Sequence, residues 1–329
     1  MTDTPLNRWS ILKGVQMPLA VTVLFSLLLF ALALAAYAAL STKTEPLSQA
    51  AAANGIDHFA QTRIEGKAAI VVDIMTGKTL YEKNADAQLP LASLAKVALA
   101  LVIAETLPLD SKVTIPHYIG AGASPEHLSK GEEWLVRDVM DFTLVTSSNS
   151  GAEFLARLAD PALRDRFPEA PKGNATLVRM NNLAKELGLS QTFFLNVNGL
   201  DLSTTQSGAY GSARDMASLF AYAASSDPSL FAGTTRRGVL LTGPDGVEKT
   251  VFNTNVAQGT IPGLIMGKTG ITDLAGGNLA VVFDVSISHP VVAVVLGSSE
   301  NGRFDDVQKL SAGARRAVAE SPINKTRSL

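Results

Sequence analysis

The chain has 329 residues, 47% hydrophobic and 18% charged, with a formal net charge of −2 and no cysteine. Such a length and apolar fraction can bury a sizeable core in one large or two joined domains and exclude a disordered chain. Without a basic run the composition argues against nucleic acid as a partner. His58, His117, His127 and His289 are scattered without ligand spacing, so neither a metal nor a cofactor is expected.

A short N-terminus, residues 1–16, precedes an uncharged apolar run from Met17 to Leu40. At about 1.5 Å per residue that run crosses a bilayer core of about 30 Å, and it reads as a transmembrane anchor. Arg8 and Lys13 before it place the N-terminus in the cytoplasm and everything after Ser41 outside. A cleaved signal peptide is the competing reading, with Ala36-Tyr37-Ala38 as the cleavage site. Both readings export the rest of the chain, and residues 41–63, rich in Ala, Gln, Thr and Ser, read as a linker.

The folded part is expected over 64–319, with 320–329 as a tail. Ala68 to Asp73 reads as a strand, Thr76-Gly77-Lys78 as a turn and Thr79 to Lys83 as the returning strand. Leu89-Pro90 closes an extended segment, and Ser93 opens SLAKVALALVIAETL, whose composition favours a helix buried on all sides. Helices are expected over Gly131 to Met140, Ser150 to Ala159, Leu177 to Leu187 and Ser212 to Ala223, with Ser212 as an N-cap. Strands return at Gly238 to Thr242, Glu248 to Phe252, Leu264 to Met266, Leu279 to Asp284 and Val291 to Leu296, before a helix over Asp305 to Val318. This order predicts an α/β (α+β) fold: one antiparallel sheet completed by both chain ends, with a helical subdomain over about 93–228 inserted between them.

Three short stretches carry chemistry: Ser93-Leu94-Ala95-Lys96, Ser147-Ser148-Asn149 and Lys268-Thr269-Gly270. Each alone is common. Ser10-Ile11-Leu12-Lys13 repeats the first pattern and Ser299-Glu300-Asn301 the second, but only the Ser93 set has all three in order and in fitting context. An unassisted serine hydroxyl is a poor nucleophile and needs a base. Lys96 shares a helix face with Ser93 and becomes that base if burial and a second cation, Lys268, lower its pKa. Ser147 can relay a proton to a leaving amine, and the Asn149 amide can hold Lys96 or a substrate carbonyl. Lys268 and Thr269 on an edge strand suit a substrate carboxylate, with Gly270 permitting close approach. The substrate so anticipated is a peptide with a free C-terminal carboxylate.

At these residues the chain resembles the penicillin-recognising serine enzymes, and among them the D-alanyl-D-alanine carboxypeptidase family of low-mass penicillin-binding proteins. The likeness includes Val71-Val72-Asp73, Asn198-Gly199-Leu200, Ser212-Ala213-Arg214-Asp215 and Arg303-Phe304, and runs from about Ile64 to Ala314. It implies a β-lactamase/transpeptidase-like fold with Ser93 as acylated nucleophile, Lys96 as general base, Ser147 and Asn149 as relay and positioning pair, and Lys268 as carboxylate anchor. It also implies an oxyanion hole from the backbone N–H groups of Ser93 and Ile271, and support for carboxylate recognition from Arg214. The implied partners are peptidoglycan stem peptides, whose terminal D-Ala would be removed, and β-lactams.

Ile271 stands where some members carry His, and Ala95 where Thr is frequent. No Glu-x-x-Leu-Asn pentapeptide stands between Asn149 and Lys268, which argues against a class A β-lactamase. A D,D-endopeptidase cutting cross-links, and a non-hydrolytic sensor or scaffold binding the same ligands, remain as alternatives.

Overall fold

The computed structural model describes residues 57–120 and 127–320. The expected membrane anchor, most of the linker and the tail beyond residue 320 lie outside the described residues, among which no helix is long and apolar enough to cross a membrane.

Ala68–Asp73 forms β1 and Thr79–Lys83 forms β2, joined through Gly77 at a φ of 70°. Strand β3 (Leu89–Pro90) runs into a 3-10 turn, Ala92–Leu94, and only then into helix α1 (Ala95–Thr106). Ser93 thus sits in the turn before the helix, not on its first residue as expected. Strands β4 (Lys112–Thr114) and β5 (Glu133–Leu135) pair antiparallel. The helix expected from Gly131 therefore begins only as α2 (Val136–Val145), because Trp134 is driven into the core between an exposed Glu133 and a half-buried Leu135, an alternation that suits a strand.

Helix α3 (Asn149–Arg166) runs past the expected end at Ala159 and through Pro161. Buried Leu163 holds the continuation in the core, while Asp160 accepts the Ala175 N–H at 2.7 Å and so ties α3 to α4 (Ala175–Glu186). Strands β6 (Phe193–Phe194) and β7 (Ala209–Gly211) complete a small sheet with β3. Helix α5 (Ala213–Ser226) has the expected N-cap, Ser212 Oγ accepting the Asp215 N–H at 3.0 Å. Strands β8 (Gly238–Thr242) and β9 (Glu248–Phe252) form a separate two-stranded sheet.

The last strands, β10 (Leu264–Thr272), β11 (Gly276–Asp284) and β12 (Pro290–Ser298), lead to α6 (Gly302–Ala319). They join the first two in one five-stranded sheet of order β10-β11-β12-β1-β2, antiparallel throughout. Its central strands read as continuous apolar runs because both faces are covered, and alternate residues serve different layers. Ile70, Val282, Val292 and Val294 face the helices that follow β3, whereas Val71, Val281, Phe283, Val291 and Val295 face α6 and Phe59. Both chain ends thus meet in one sheet, and β10 stands at its edge beside the first turn of the helical layer.

Asp306, fully buried on α6, locks this meeting. Its carboxylate accepts the Glu65 N–H at 3.0 Å, the Gly66 N–H at 2.9 Å and the Ser298 hydroxyl at 2.7 Å. Removing it leaves two buried donors and one partly buried donor without that acceptor. Asp306→Ala is expected to lose about 3 kcal/mol of stability in a urea titration; a loss below about 1 kcal/mol would show that water replaces the carboxylate.

Candidate active site

Three backbone segments converge, and each is held in a conformation that its sequence only partly favours. Ala92 and Ser147 have φ values of 49° and 60°, uncommon for residues with a Cβ, and each turns the chain just before a helix. Ser148 then caps α3, its Oγ accepting the Gly151 N–H at 3.0 Å, which leaves Asn149 at the helix start. Asn278 on β11 fixes the first turn from below, donating to the Pro90 carbonyl at 3.0 Å and accepting the Gly297 N–H at 2.8 Å.

Two glycines permit the approach. A Cβ at Gly270 would lie 2.8 Å from the Leu91 carbonyl oxygen and 3.2 Å from Ser93 N, so β10 comes against the Ser93 turn only without a side chain there. From the other side Gly199, at a φ of 80°, is closer still: a Cβ would lie 1.9 Å from the Ala92 carbonyl oxygen. Asp201, two residues on, accepts the Thr272 hydroxyl at 3.0 Å and the Leu274 N–H at 3.1 Å, joining this loop to the β10–β11 hairpin.

Lys96 is 1% exposed, and its Nζ has three oxygen neighbours: Ser93 Oγ at 2.8 Å, Asn149 Oδ1 at 2.8 Å and the Asn198 carbonyl at 2.7 Å. Burial lowers its pKa to about 7, against an opposing pull from the Glu153 carboxylate. A neutral amine has two N–H groups and one lone pair. The two carbonyl oxygens can only accept, so they take the N–H groups and leave the lone pair for the Ser93 hydroxyl.

Lys268, also 1% exposed, donates to Ser147 Oγ at 2.8 Å and to the Thr269 carbonyl at 2.9 Å. Burial pushes its pKa well down, helped by the positive fields of Lys96 and Arg303. Arg303, on α6, is itself buried and donates to the Gly270 carbonyl at 2.8 Å. Thr269 shares a 2.6 Å hydrogen bond with the Thr254 hydroxyl, and the Thr254 N–H bonds the Val145 carbonyl at 3.1 Å, linking β10 to the end of α2. Two lysines and an arginine so placed give the site a positive field that favours an anion.

The structure therefore brings Ser93, Lys96, Ser147, Asn149, Lys268, Thr269 and Gly270 together, with Ile271, half-exposed, following Gly270 on the same strand edge. Arg214 is a correction. Its guanidinium donates to Asp86 at 2.7 Å and to Glu82 at 2.9 Å, pairs that raise its pKa, and the arginine whose field reaches Lys268 is Arg303. Arg214 follows the N-cap Ser212, and its side chain is spent on joining α5 to β2 and the segment after it. The Ser299-Glu300-Asn301 copy caps α6, with Ser299 Oγ accepting the Gly302 N–H at 3.0 Å.

Sequence reasoning gave no role to the Asn198 carbonyl, Thr254, Arg303 or Glu153. Asn198-Gly199-Leu200 and Arg303-Phe304 carried a signal as part of the family likeness, but Thr254 and Glu153 carried none, because nothing in a sequence shows which hydroxyl or carboxylate faces a distant strand.

A serine hydroxyl on a buried, deprotonatable lysine, beside a second buried lysine and a buried arginine at a sheet edge, defines a serine acyl-transfer site. The profile of the D-alanyl-D-alanine carboxypeptidase family matches residues 56–300, and the chain belongs to that family. D-alanyl-D-alanine carboxypeptidase DacC of Escherichia coli (strain K12) is 28% identical over 262 residues, covering 75% of this chain and 60% of the relative. DacF of Bacillus subtilis (strain 168) is 34% identical over 159 residues, covering 46% of this chain and 37% of the relative, so the chain spans less than two thirds of either. The D-alanyl-D-alanine endopeptidase of Escherichia coli (strain K12) is 27% identical, with 76% of this chain and 77% of the relative covered. Among solved structures, penicillin-binding protein D2 from Listeria monocytogenes in its ampicillin-bound form has a TM-score of 0.63 at 28% identity, covering 77% of this chain and 98% of that chain.

The crowding at Gly199 can be separated from its backbone conformation. Gly246 has a similar φ of 83° with nothing within 4 Å of a Cβ. Gly246→Ala is expected to cost about 1 kcal/mol and Gly199→Ala about 3 kcal/mol or more, read from denaturation midpoints. Equal losses would show that the loop moves off the Ser93 turn at little cost.

Proposed function

We propose that the chain is a serine-type D-Ala-D-Ala carboxypeptidase that removes the terminal D-Ala of peptidoglycan stem peptides through a Ser93 acyl-enzyme, and that β-lactams acylate the same serine. The observation that carries this reading is the oxygen cage of Lys96, which leaves the amine lone pair on Ser93.

The chemistry runs from those contacts. The substrate's terminal carboxylate enters against Lys268, Thr269 and Arg303, supplies the anion that these cations lack, and favours the ammonium form of Lys268. Ser93 Oγ attacks the carbonyl carbon of the penultimate D-Ala while its proton passes to Lys96. The developing oxyanion lies toward the backbone N–H groups of Ser93 and Ile271. Lys96 hands that proton through Ser147, which lies against Lys268, to the leaving D-Ala amine and is neutral again, while Asn149 holds Lys96 and the peptide in line. Water then attacks the Ser93 ester, its proton passing to Lys96 and on to Ser93 Oγ as the ester bond breaks, and the shortened stem peptide is released.

Ile271 replaces a polar neighbour found in some relatives, and acts here through its backbone while its half-exposed side chain faces the acyl portion of the substrate. Residues 17–40 would hold the enzyme on the outer side of the cell membrane, as their uncharged run and the preceding Arg8 and Lys13 suggest. A second reading, a D,D-endopeptidase cutting cross-links, is favoured by one finding: the chain covers 77% of the endopeptidase relative against 60% of DacC.

Fluorescent penicillin is expected to label the wild type covalently and to leave Ser93→Ala unlabelled on a denaturing gel. Wild type not treated with penicillin should release D-Ala from a stem peptide ending in D-Ala-D-Ala; cleavage of cross-linked dimers with no such release would move the endopeptidase reading ahead. A folded wild type that takes no label would overturn both.

The pH dependence has a definite sign. Below about 7 Lys96 is an ammonium without a lone pair, so kcat/KM should rise with pH along an acidic limb centred near 7. It should fall about tenfold per unit on the acid side. A flat profile from pH 5 to 8 would exclude Lys96 as the base.

A further inference from the structure

One carboxylate beside Lys96 has no part in these steps. Glu153 stands four residues after Asn149 on α3, the spacing that puts two side chains on one helix face. Its Oε1 accepts from Asn198 Nδ2 at 3.0 Å, and the carbonyl of that same Asn198 accepts from Lys96 Nζ at 2.7 Å. Asn198 Oδ1 is also used, accepting the Leu200 N–H at 2.8 Å, so the amide is held at both ends in a residue that is 5% exposed.

We propose that Glu153 is a positioning residue for Lys96: it holds the Asn198 amide so that the Asn198 carbonyl stays on Lys96 Nζ, and it places a carboxylate charge beside the Lys96, Lys268 and Arg303 cluster. This rests on the reading of Lys96 as the base for Ser93. The hydrogen bond fixes where the lone pair points, since Lys96 has only two N–H groups to give when neutral. The charge favours the ammonium form and so opposes the effect of burial, in the direction already seen for Lys96.

The other groups around the amine do not duplicate this role. Asn149 and Ser93 are neutral, and Lys268 and Arg303 are basic groups that bring no negative charge. Arg157 on α3 lies against Glu153 itself, its guanidinium 3.5 Å from Oε2, and leaves Oε1 on Asn198. Glu105, at the far end of α1, is paired with Arg179 of α4, while Asp215 of α5 accepts from the Gln191 N–H and the Thr192 hydroxyl, both at 2.8 Å. Glu153 is the carboxylate whose field reaches Lys96.

Two variants of the full chain separate charge from hydrogen bond. Glu153→Gln keeps an acceptor for Asn198 Nδ2 and loses the charge; Glu153→Leu loses both. The measured quantity is the second-order rate of acylation by fluorescent penicillin between pH 5 and pH 9.5, with thermal melting run alongside. Removing the negative charge disfavours the ammonium, so the acidic limb is expected to move to lower pH by roughly half a unit in both variants. The plateau at high pH should fall by about tenfold in Glu153→Leu, where Asn198 is released, and distinctly less in Glu153→Gln.

A merely structural role would lower melting temperature without moving the limb. Limbs that superimpose on the wild type, while Lys96→Arg is inactive, would overturn the proposal and leave the base assignment standing. Wild-type acylation by Lys96→Arg would instead remove the base assignment and this proposal with it. If Glu153→Leu fails to fold, the limb of Glu153→Gln decides alone.

Discussion

Holding a primary amine inside the protein, away from water, is the constraint on which the site depends. Burial makes the ammonium of Lys96 costly, and at Lys268 the positive fields of Lys96 and Arg303 add to the cost of burial. What makes the arrangement tolerable is that each lysine has oxygen partners at 2.7 to 2.9 Å, two of the Lys96 partners being carbonyls that only accept. The same constraint yields reactivity: an amine whose N–H groups are committed turns its remaining lone pair to the Ser93 hydroxyl.

That cage requires three backbone segments within a few ångströms of one another, and the fold meets the requirement by strain and by deletion. Ala92 and Ser147 adopt left-handed backbone, and Gly199 and Gly270 omit the Cβ that would otherwise collide with the Ser93 turn. Partly buried polar ties then hold the segments: Asn278 to Pro90, Asp201 to the hairpin and Thr254 to Thr269. The five-stranded sheet, closed by Asp306 and covered on both faces, is the rigid base against which such strain can be kept.

Membership of the D-alanyl-D-alanine carboxypeptidase family fits this picture, and the individual character of this chain lies in what surrounds the shared motifs. Ile271 puts an apolar side chain on the strand edge after Gly270. Glu153 and Asn198 form a pair behind Lys96. Arg214 and Arg303 divide the work of two arginines: the first, with Glu82 and Asp86, holds the start of α5, and the second lies buried behind Gly270.

Much of the fold and most of the site were legible in the sequence, because they rest on local signals. Apolar runs bounded by turns marked the strands, Ser212 marked the start of α5, and the order of Ser93, Lys96, Ser147, Asn149 and Lys268 marked the chemistry. Local signals failed where tertiary contacts outweigh propensity: Trp134 draws Glu133 to Leu135 into a strand, Leu163 and Asp160 carry α3 past Pro161, and β8 and β9 leave the main sheet to pair with each other. Spatial partners were beyond reach as well. The sequence alone determines which groups can react, since residue type sets proton affinity and hydrogen-bonding capacity. Only the folded chain decides which carbonyl faces Lys96, which arginine lies behind Gly270 and which carboxylate tempers the amine, because burial and distance, the quantities that set charge and orientation, arise when segments far apart in sequence pack together.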